Sequence, residues 1–371
     1  MKKLISFLSL IILAACGEKG SSEEYENSNL LEDFSYSIDT LILNVGDEVF
    51  NPQEYSSYDL SEDGNILYLF YNPEKEMHEY DLTKRKLIAR HPFETDGPNL
   101  IPSYFNYFQA LPEEEFFMAD FARAGIYSLD GTKMQTYKIQ SENITGLGID
   151  NSYPLTNNIH ISPDKQKIVS LPKIFGESVA GLAVIDLDNW QGKMLDLPAL
   201  DITNKYLVTF QEENGLIQTG DFHKIQFLND QFIIYSGATS DIYTYDWKRD
   251  SLRLLPFQHV LVAKTKTGDF PTKANSLEHN WEVGKQILKQ ITFGKFYWDE
   301  TRGKYFRIGT TNEDYTKTYL FSYDENFTLT GESLIPDFHY MPYMDFFHAG
   351  KLYSYFIVGE EPALVELTFN F

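Results

Sequence analysis

The sequence predicts an all-β fold: a six-bladed β-propeller, with an amino-terminal strand closing the last blade and one helical insertion between blades four and five. Three observations predict it. First, a loose unit recurs six times: an apolar strand, a short turn, a strand ending in an acid-marked turn, and a further strand. Five units carry that acid, at Asp81, Asp130, Asp186, Asp246 and Asp324, spaced 49, 56, 60 and 78 residues apart. Near-regular periods of roughly 40–50 residues with four strands each are the mark of propeller blades. Second, aromatic residues make up 15% of the chain, which suits the pleated, half-buried surface of a sheet. Third, the last unit ends at Phe371 one strand short, while "SYSIDTLILNV" (Ser35–Val45) belongs to no unit. Pairing the two ends closes the ring and leaves no open sheet edge.

Taken in order, residues 1–15 read as a signal peptide. Lys2 and Lys3 precede a short apolar stretch, Leu4 to Leu13. A bilayer span needs roughly 20 apolar residues, so this stretch is too short to be one. It ends in Leu13-Ala14-Ala15-Cys16, which resembles the lipobox of bacterial lipoproteins. Cys16 is the sole cysteine of 371 residues. Its thiol is the nucleophile such a site needs to accept a diacylglyceryl group, and two or more acyl chains anchor firmly where one does not. A lone cysteine also leaves no disulfide or CxxC pair. Residues 16–30 then form a polar tether reaching about 20 Å, and residues 31–371 a single propeller domain. The expected location is the bacterial cell envelope, with the lipid on Cys16 holding the chain to a membrane, the outer membrane in the first instance, on its periplasmic or surface side.

The blade units run from "NILYLFYN" (Asn65–Asn72) to "ALVELTFNF" (Ala363–Phe371). Inner strands precede several of them, such as "YFQAL" (Tyr107–Leu111), "NIHIS" (Asn158–Ser162) and "YMDFF" (Tyr343–Phe347). The 78-residue spacing marks an insertion at 258–290. Within it "NSLEHNWEVGKQILKQI" predicts a helix capped by Asn275 with Glu278 three residues on, burying Leu277, Trp281, Leu288 and Ile291. From Gln258 to Lys295 six lysines stand against three acids, so the insertion is locally basic.

Three stretches, "ETDGPNLI" (Glu94–Ile101), "KTGDFPTKANS" (Lys266–Ser276) and "FGKFYWDETRGKYFRIG" (Phe293–Gly309), together with the blade pattern, resemble a family of propeller lipoproteins from Bacteroidetes-type bacteria, catalogued as a domain of unknown function. The resemblance covers most of the chain after residue 30. It implies a six-bladed propeller in an outer-membrane or periplasmic lipoprotein and carries over no catalytic residue.

Composition excludes one class of partner. The formal net charge is −23, and loss of Lys2 and Lys3 with the signal makes it −23 − 2 = −25. Nucleic-acid binders need a basic footprint, so no nucleic acid is expected. HExxH, GxxxxGK[ST] and GxGxxG are absent. Gly176-Glu177-Ser178-Val179-Ala180 approaches GxSxG but ends in Ala and lies between strands rather than before a helix. No His, Asp or Glu grouping has metal-ligand spacing, so neither a metal nor a cofactor is expected.

Loops on a rigid ring are where binding groups concentrate. The second-to-third-strand loops and the connections between blades gather at one mouth of such a ring. They offer Asp96, Asn99, Asp120, Arg123, Asp241, Arg307, His339 and Tyr340 as candidate binding residues, with Lys264, Lys266 and Lys273 of the insertion beside them. The expected function is a binding or scaffold module with a small-molecule, glycan or protein ligand. The alternative is a hydrolase or lyase acting on envelope or dietary glycans or peptides, since propellers host both.

Overall fold

The computed structural model describes residues 29–46, 50–102, 107–121, 123–150, 152–212, 215–313, 316–338, 340, 343–358 and 361–371. The signal, Cys16 and most of the tether lie outside these residues, as does His339.

Six four-stranded antiparallel sheets form the blades. A first strand, β1 (Ser35–Leu41), precedes them. Blade 1 is β2 (Tyr55–Leu60), β3 (Ile66–Tyr71), β4 (Glu76–Asp81) and β5 (Lys86–Pro92). Blade 2 is β6 (Tyr107–Leu111), β7 (Glu115–Ala119), β8 (Ala124–Ser128) and β9 (Lys133–Tyr137). Blade 3 is β10 (His160–Ile161), β11 (Lys167–Ser170), β12 (Leu182–Asp186) and β13 (Gln191–Leu195). A separate hairpin, β14 (Leu207–Glu212) with β15 (Gly215–Gly220), follows. Blade 4 is β16 (His223–Leu228), β17 (Gln231–Ser236), β18 (Ile242–Asp246) and β19 (Ser251–Leu255). After helix α1 (Leu277–Leu288), blade 5 is β20 (Thr292–Asp299), β21 (Lys304–Asn312), β22 (Thr316–Tyr323) and β23 (Leu329–Ile335). Blade 6 is β24 (Asp345–His348), β25 (Lys351–Val358) and β26 (Glu361–Asn370).

The repeating acids set the outer turns. Each sits where the third strand of a blade turns into the fourth, and its carboxylate accepts a backbone N–H further along. The donors are Lys84 to Asp81 (2.7 Å), Thr132 to Asp130 (3.0 Å), Asp188 to Asp186 (3.1 Å), Lys248 to Asp246 (3.1 Å) and Asn326 to Asp324 (2.9 Å). These side chains substitute for the turn's own backbone bonds. The same turns reach the left-handed region, at Arg85, Gly131, Trp190, Asp250 and Phe327. Only at Gly131 is that conformation free of steric cost.

Ring closure is as expected. β1 pairs antiparallel with β26 from Ser35↔Asn370 to Leu41↔Leu364. The chain start also latches onto blade 5, where Asn29 Nδ2 donates to the Glu332 carbonyl at 2.9 Å and Leu31 is fully buried. Between each pair of neighbouring blades lies an apolar cluster. Leu67, Leu69 and Leu364 join blades 1 and 6, and Ile126 and Ile185 join blades 2 and 3. Each fully buried side chain of this size contributes roughly 1.5–3 kcal/mol, so the blades are held face to face by these seams.

The insertion carries the expected helix, with two differences. Ser276, not Asn275, is the cap: its side chain accepts the His279 N–H, while Asn275 Oδ1 engages the His279 ring. The buried face is Asn280, Val283, Gly284 and Ile287, and Trp281 is 55% exposed. The face turned because the helix packs on the β14–β15 hairpin, which the repeat pattern did not reveal. Asn280 donates to the Val208 carbonyl at 3.1 Å and contacts Thr219, while Val283 and Ile287 meet Tyr206, Val208 and Ala238.

Candidate functional site

Antiparallel strands alternate direction, so a blade's first-to-second and third-to-fourth turns lie on one face of the ring. The second-to-third turns and the interblade connections lie on the other. A cavity of about 1080 Å³ runs along the ring axis and is lined by residues of all six inner strands: β2, β6, β10, β16, β20 and β24. Its wall uses the carboxyl-terminal parts of these strands, the turns that follow them, and Trp247 and Lys248 of a third-to-fourth turn. It therefore lies toward the face opposite the expected mouth.

Polar side chains on the inner strands clasp one blade to the next. From blade 1, Asp59 Oδ2 accepts the Ala110 N–H at 2.8 Å. From blade 2, Gln109 donates to the Ile161 carbonyl at 2.8 Å and accepts its N–H at 3.1 Å. From blade 3, His160 Nε2 donates to the Ile225 carbonyl at 3.1 Å. From blade 4, Gln226 bonds both the N–H and the carbonyl of Phe296, at 2.8 and 2.9 Å. From blade 5, Lys295 Nζ donates to the Asp345 carbonyl at 2.7 Å. The circle closes where Asp345 N–H donates to Tyr58 Oη at 3.0 Å. Inner strands are sheet edges, whose free N–H and C=O groups must find partners when buried, and these side chains supply them.

The densest part of the ring surrounds Asp345. Its Oδ2 accepts the hydroxyls of Tyr340, at 2.5 Å, and Tyr297. Its Oδ1 accepts from Tyr58 at 3.2 Å and lies 3.5 Å from Lys295 Nζ. Burial, then the Asp345 carboxylate, push Tyr297 and Tyr340 well above the usual phenol range, so both remain donors. Burial alone would pull Lys295 down, but Asp345 and Tyr58 outweigh it and hold the ammonium charged. Asp59 differs. Burial raises its carboxyl to about 6, only partly offset by the Ala110 and Leu60 N–H groups and by the more distant Lys295. Burial likewise pushes His160 down to about 4, so its ring is neutral at physiological pH.

The residues singled out from the sequence fall elsewhere. Asp96 is exposed, and Asn99 is tied to Glu94 and to the Lys133 N–H. Asp120 accepts the Arg123 N–H within a tight turn, leaving Arg123 exposed. Asp241 is buried and pairs with Lys264 at 2.9 Å. Arg307 is fully buried; it donates to the Gly294 and Ser240 carbonyls at 2.8 and 2.7 Å, and its guanidinium carbon lies 4.9 Å from the Phe293 ring and 4.8 Å from that of Phe296. Tyr340 alone of the described candidates joins the axial cluster, and none lines the axial cavity. Lys266 is buried as well, 3.2 Å from Asp221 and bonded to the Ile287 carbonyl and Thr292. Only Lys273 is exposed, on a separate cavity of about 630 Å³ beside the β14–β15 hairpin. Lys264 and Lys266 thus pin the insertion to the ring. The axial residues had a readable signal: Asp59, Gln109, His160, Gln226, Lys295 and Asp345 are polar positions on the inner strands. Among the described residues no group of three or more His, Cys, Asp or Glu is placed to hold a metal ion. No helix among them is long and apolar enough to cross a membrane.

Comparison with known proteins agrees with this fold. The sequence model of a family described as "Domain of unknown function (DUF4221)" matches residues 29–334. A crystal structure of a member of that family from Bacteroides vulgatus superposes with a TM-score of 0.63 at 13% identity, covering 91% of this chain and 98% of that one. A Bacteroides fragilis protein described as exported superposes with a TM-score of 0.48 at 10% identity, covering 92% and 96%. A search of curated proteins finds no match.

Proposed function

Because the chain belongs to the DUF4221 family, whose description names no activity, we propose its function from the site: a non-enzymatic binding module of the cell envelope, anchored through Cys16, that holds its ligand in the axial cavity. One observation carries this reading. A cavity of about 1080 Å³ is walled by all six blades, and the inner-strand groups Asp59, Gln226 and Lys295 in its wall are committed to holding the blades in register. Such a site is rigid and preformed, which lowers the ordering cost of binding. Its volume suits a drug-sized molecule or a short stretch of a larger one. The amino-terminal signal ending at Cys16 supports the envelope location.

A hydrolase or lyase is the second reading, and Asp59 favours it, since a carboxyl near pH 6 suits general acid–base work. Against that, both Asp59 oxygens already accept backbone N–H groups, from Ala110 and Leu60. That arrangement fits a fixed receptor better than a group that must hand over a proton.

The test is a thermal-shift screen of glycans, peptides and small metabolites against the wild type and Leu228→Trp, which fills the cavity from its wall. A ligand at about 100 times its Kd stabilises by roughly 2.7 kcal/mol. The reading expects at least one class to raise Tm in the wild type and not in the variant. Shifts equal in both would place the ligand elsewhere.

A further inference from the structure

We infer that the axial cavity receives an organic cation: an amine or guanidinium carried on an apolar or aromatic body. The inference rests on the reading that the ligand occupies this cavity. Two lysines line it, and each is already neutralised, Lys295 by Asp345 at 3.5 Å and Lys248 by an ion pair with Asp230. Three further carboxylates line it with no cation paired to them among the described residues. Asp59 makes no ion pair: it accepts the Ala110 and Leu60 N–H groups, and Lys295 acts on it only from further away. Asp164 is held only by Ser162 and the Gln166 N–H. Glu62 stands exposed on the rim. Among the residues that line the cavity, an anion would meet three negative groups and no unpaired cation, since Lys224 of β16, near Lys295 and Asp345, lies outside that lining; this costs an anion affinity.

The rest of the wall suits the body of such a ligand. Phe108, Trp247, Trp298 and Phe347 line it, and aromatic faces attract cations. The protein already uses this contact with its own side chains. Lys248 lies 5.0 Å from the centre of the Trp247 ring, and Lys295 lies 5.4 Å from those of both Tyr58 and Tyr297. His160 is neutral at physiological pH and adds no repulsion. The formal charge of −23 also draws cations toward the ring from a distance.

Three probes share one ring and differ in charge: tryptamine, neutral tryptophol and indole-3-acetate. Titration calorimetry on the mature chain at pH 7.5 should show tryptamine binding, tryptophol at least about tenfold weaker, a gap of roughly 1.4 kcal/mol, and no heat from indole-3-acetate. Asp59→Asn should weaken tryptamine about tenfold. Because Asp59 also clasps blade 2, the double variant Glu62→Gln/Asp164→Asn, at exposed positions, serves as a second arm. It should weaken tryptamine several-fold and flatten the salt dependence. Tryptophol or indole-3-acetate binding as well as tryptamine would overturn the inference, as would no binding of tryptamine or agmatine, or binding untouched by both variants. If neutral ligands bind and Leu228→Trp abolishes that binding, the cation is wrong and the cavity reading stands. If tryptamine binds equally to Leu228→Trp, the cavity reading falls and this inference with it.

Discussion

Lys295 and Asp345 meet at the ring axis across the boundary of blades 5 and 6, with Nζ 2.7 Å from the Asp345 carbonyl and 3.5 Å from its Oδ1. The carboxylate is buried and also accepts Tyr58, Tyr297 and Tyr340. Lys295 is half-buried, so removing it strands the buried carboxylate at the lower end of the cost of breaking a buried pair, about 3 kcal/mol. Lys295→Met should therefore lower unfolding stability by about 3 kcal/mol, read by urea titration. Lys295→Met/Asp345→Asn should recover part of that loss. A single variant within 1 kcal/mol of wild type, by the same titration, would show that the pair is not a stabilising clasp.

Closure by β1 yields the second prediction. β1 covers the edge of β26 from Leu364 to Asn370, and Leu31 and Leu41 are buried with it. A chain beginning at residue 46 exposes that edge and loses both leucines. Its Tm should fall by roughly 10 °C or more, and it should aggregate on heating. Melting like the parent would mean that β26 does not depend on β1.

Acid should reveal Asp59 and His160 through opposite signs. The Asp59 carboxyl rises from 3.8 to about 6 on folding, so the native state holds its proton more tightly than the unfolded chain. Its contribution is present below pH 4 and is lost as pH rises through 6. His160 falls from 6.5 to about 4, so its contribution is present above pH 6.5 and is lost as pH falls toward 4. Relative to wild type, Asp59→Asn should gain stability between pH 4 and 6, by up to about 3 kcal/mol. His160→Asn should gain as pH falls over the same range. The measurement is ΔG of unfolding for each variant against pH, and parallel curves would remove both assignments.

The ring was legible in the sequence because its determinants are local. Asp81, Asp130, Asp186, Asp246 and Asp324 each build a turn from residues within five positions. Ser35–Leu41 was legible because it had no blade of its own. The β14–β15 hairpin was hidden by the 60-residue spacing between Asp186 and Asp246, which stays near the blade period. That omission also turned the predicted helix face, since Trp281 could be assigned outward only once Val208 and Thr219 were known to lie under Asn280. The loop candidates Asp96, Asn99, Asp120 and Arg123 do not line the axial cavity, whose wall comes from inner-strand residues instead. Asp59, Gln109, His160, Gln226, Lys295 and Asp345 lie 50 to 69 residues apart in sequence, and only the closed ring brings them to one axis.

Lipidation is the fourth prediction. Cys16 is the sole thiol and ends the apolar segment. Cys16→Ser should block acylation and leave the chain unprocessed or released from membranes, as followed by metabolic acyl labelling and fractionation. Equal acyl label on the variant would show that the anchor lies elsewhere.

The most direct test of the account is a crystal structure of the protein with the ligand it retains on purification from its source cells. The account predicts density on the ring axis, between Asp59 and the rings of Trp247 and Trp298, with the Lys295–Asp345 clasp intact behind it. Density instead in the cavity beside Lys273, with the axis holding only solvent, would contradict it.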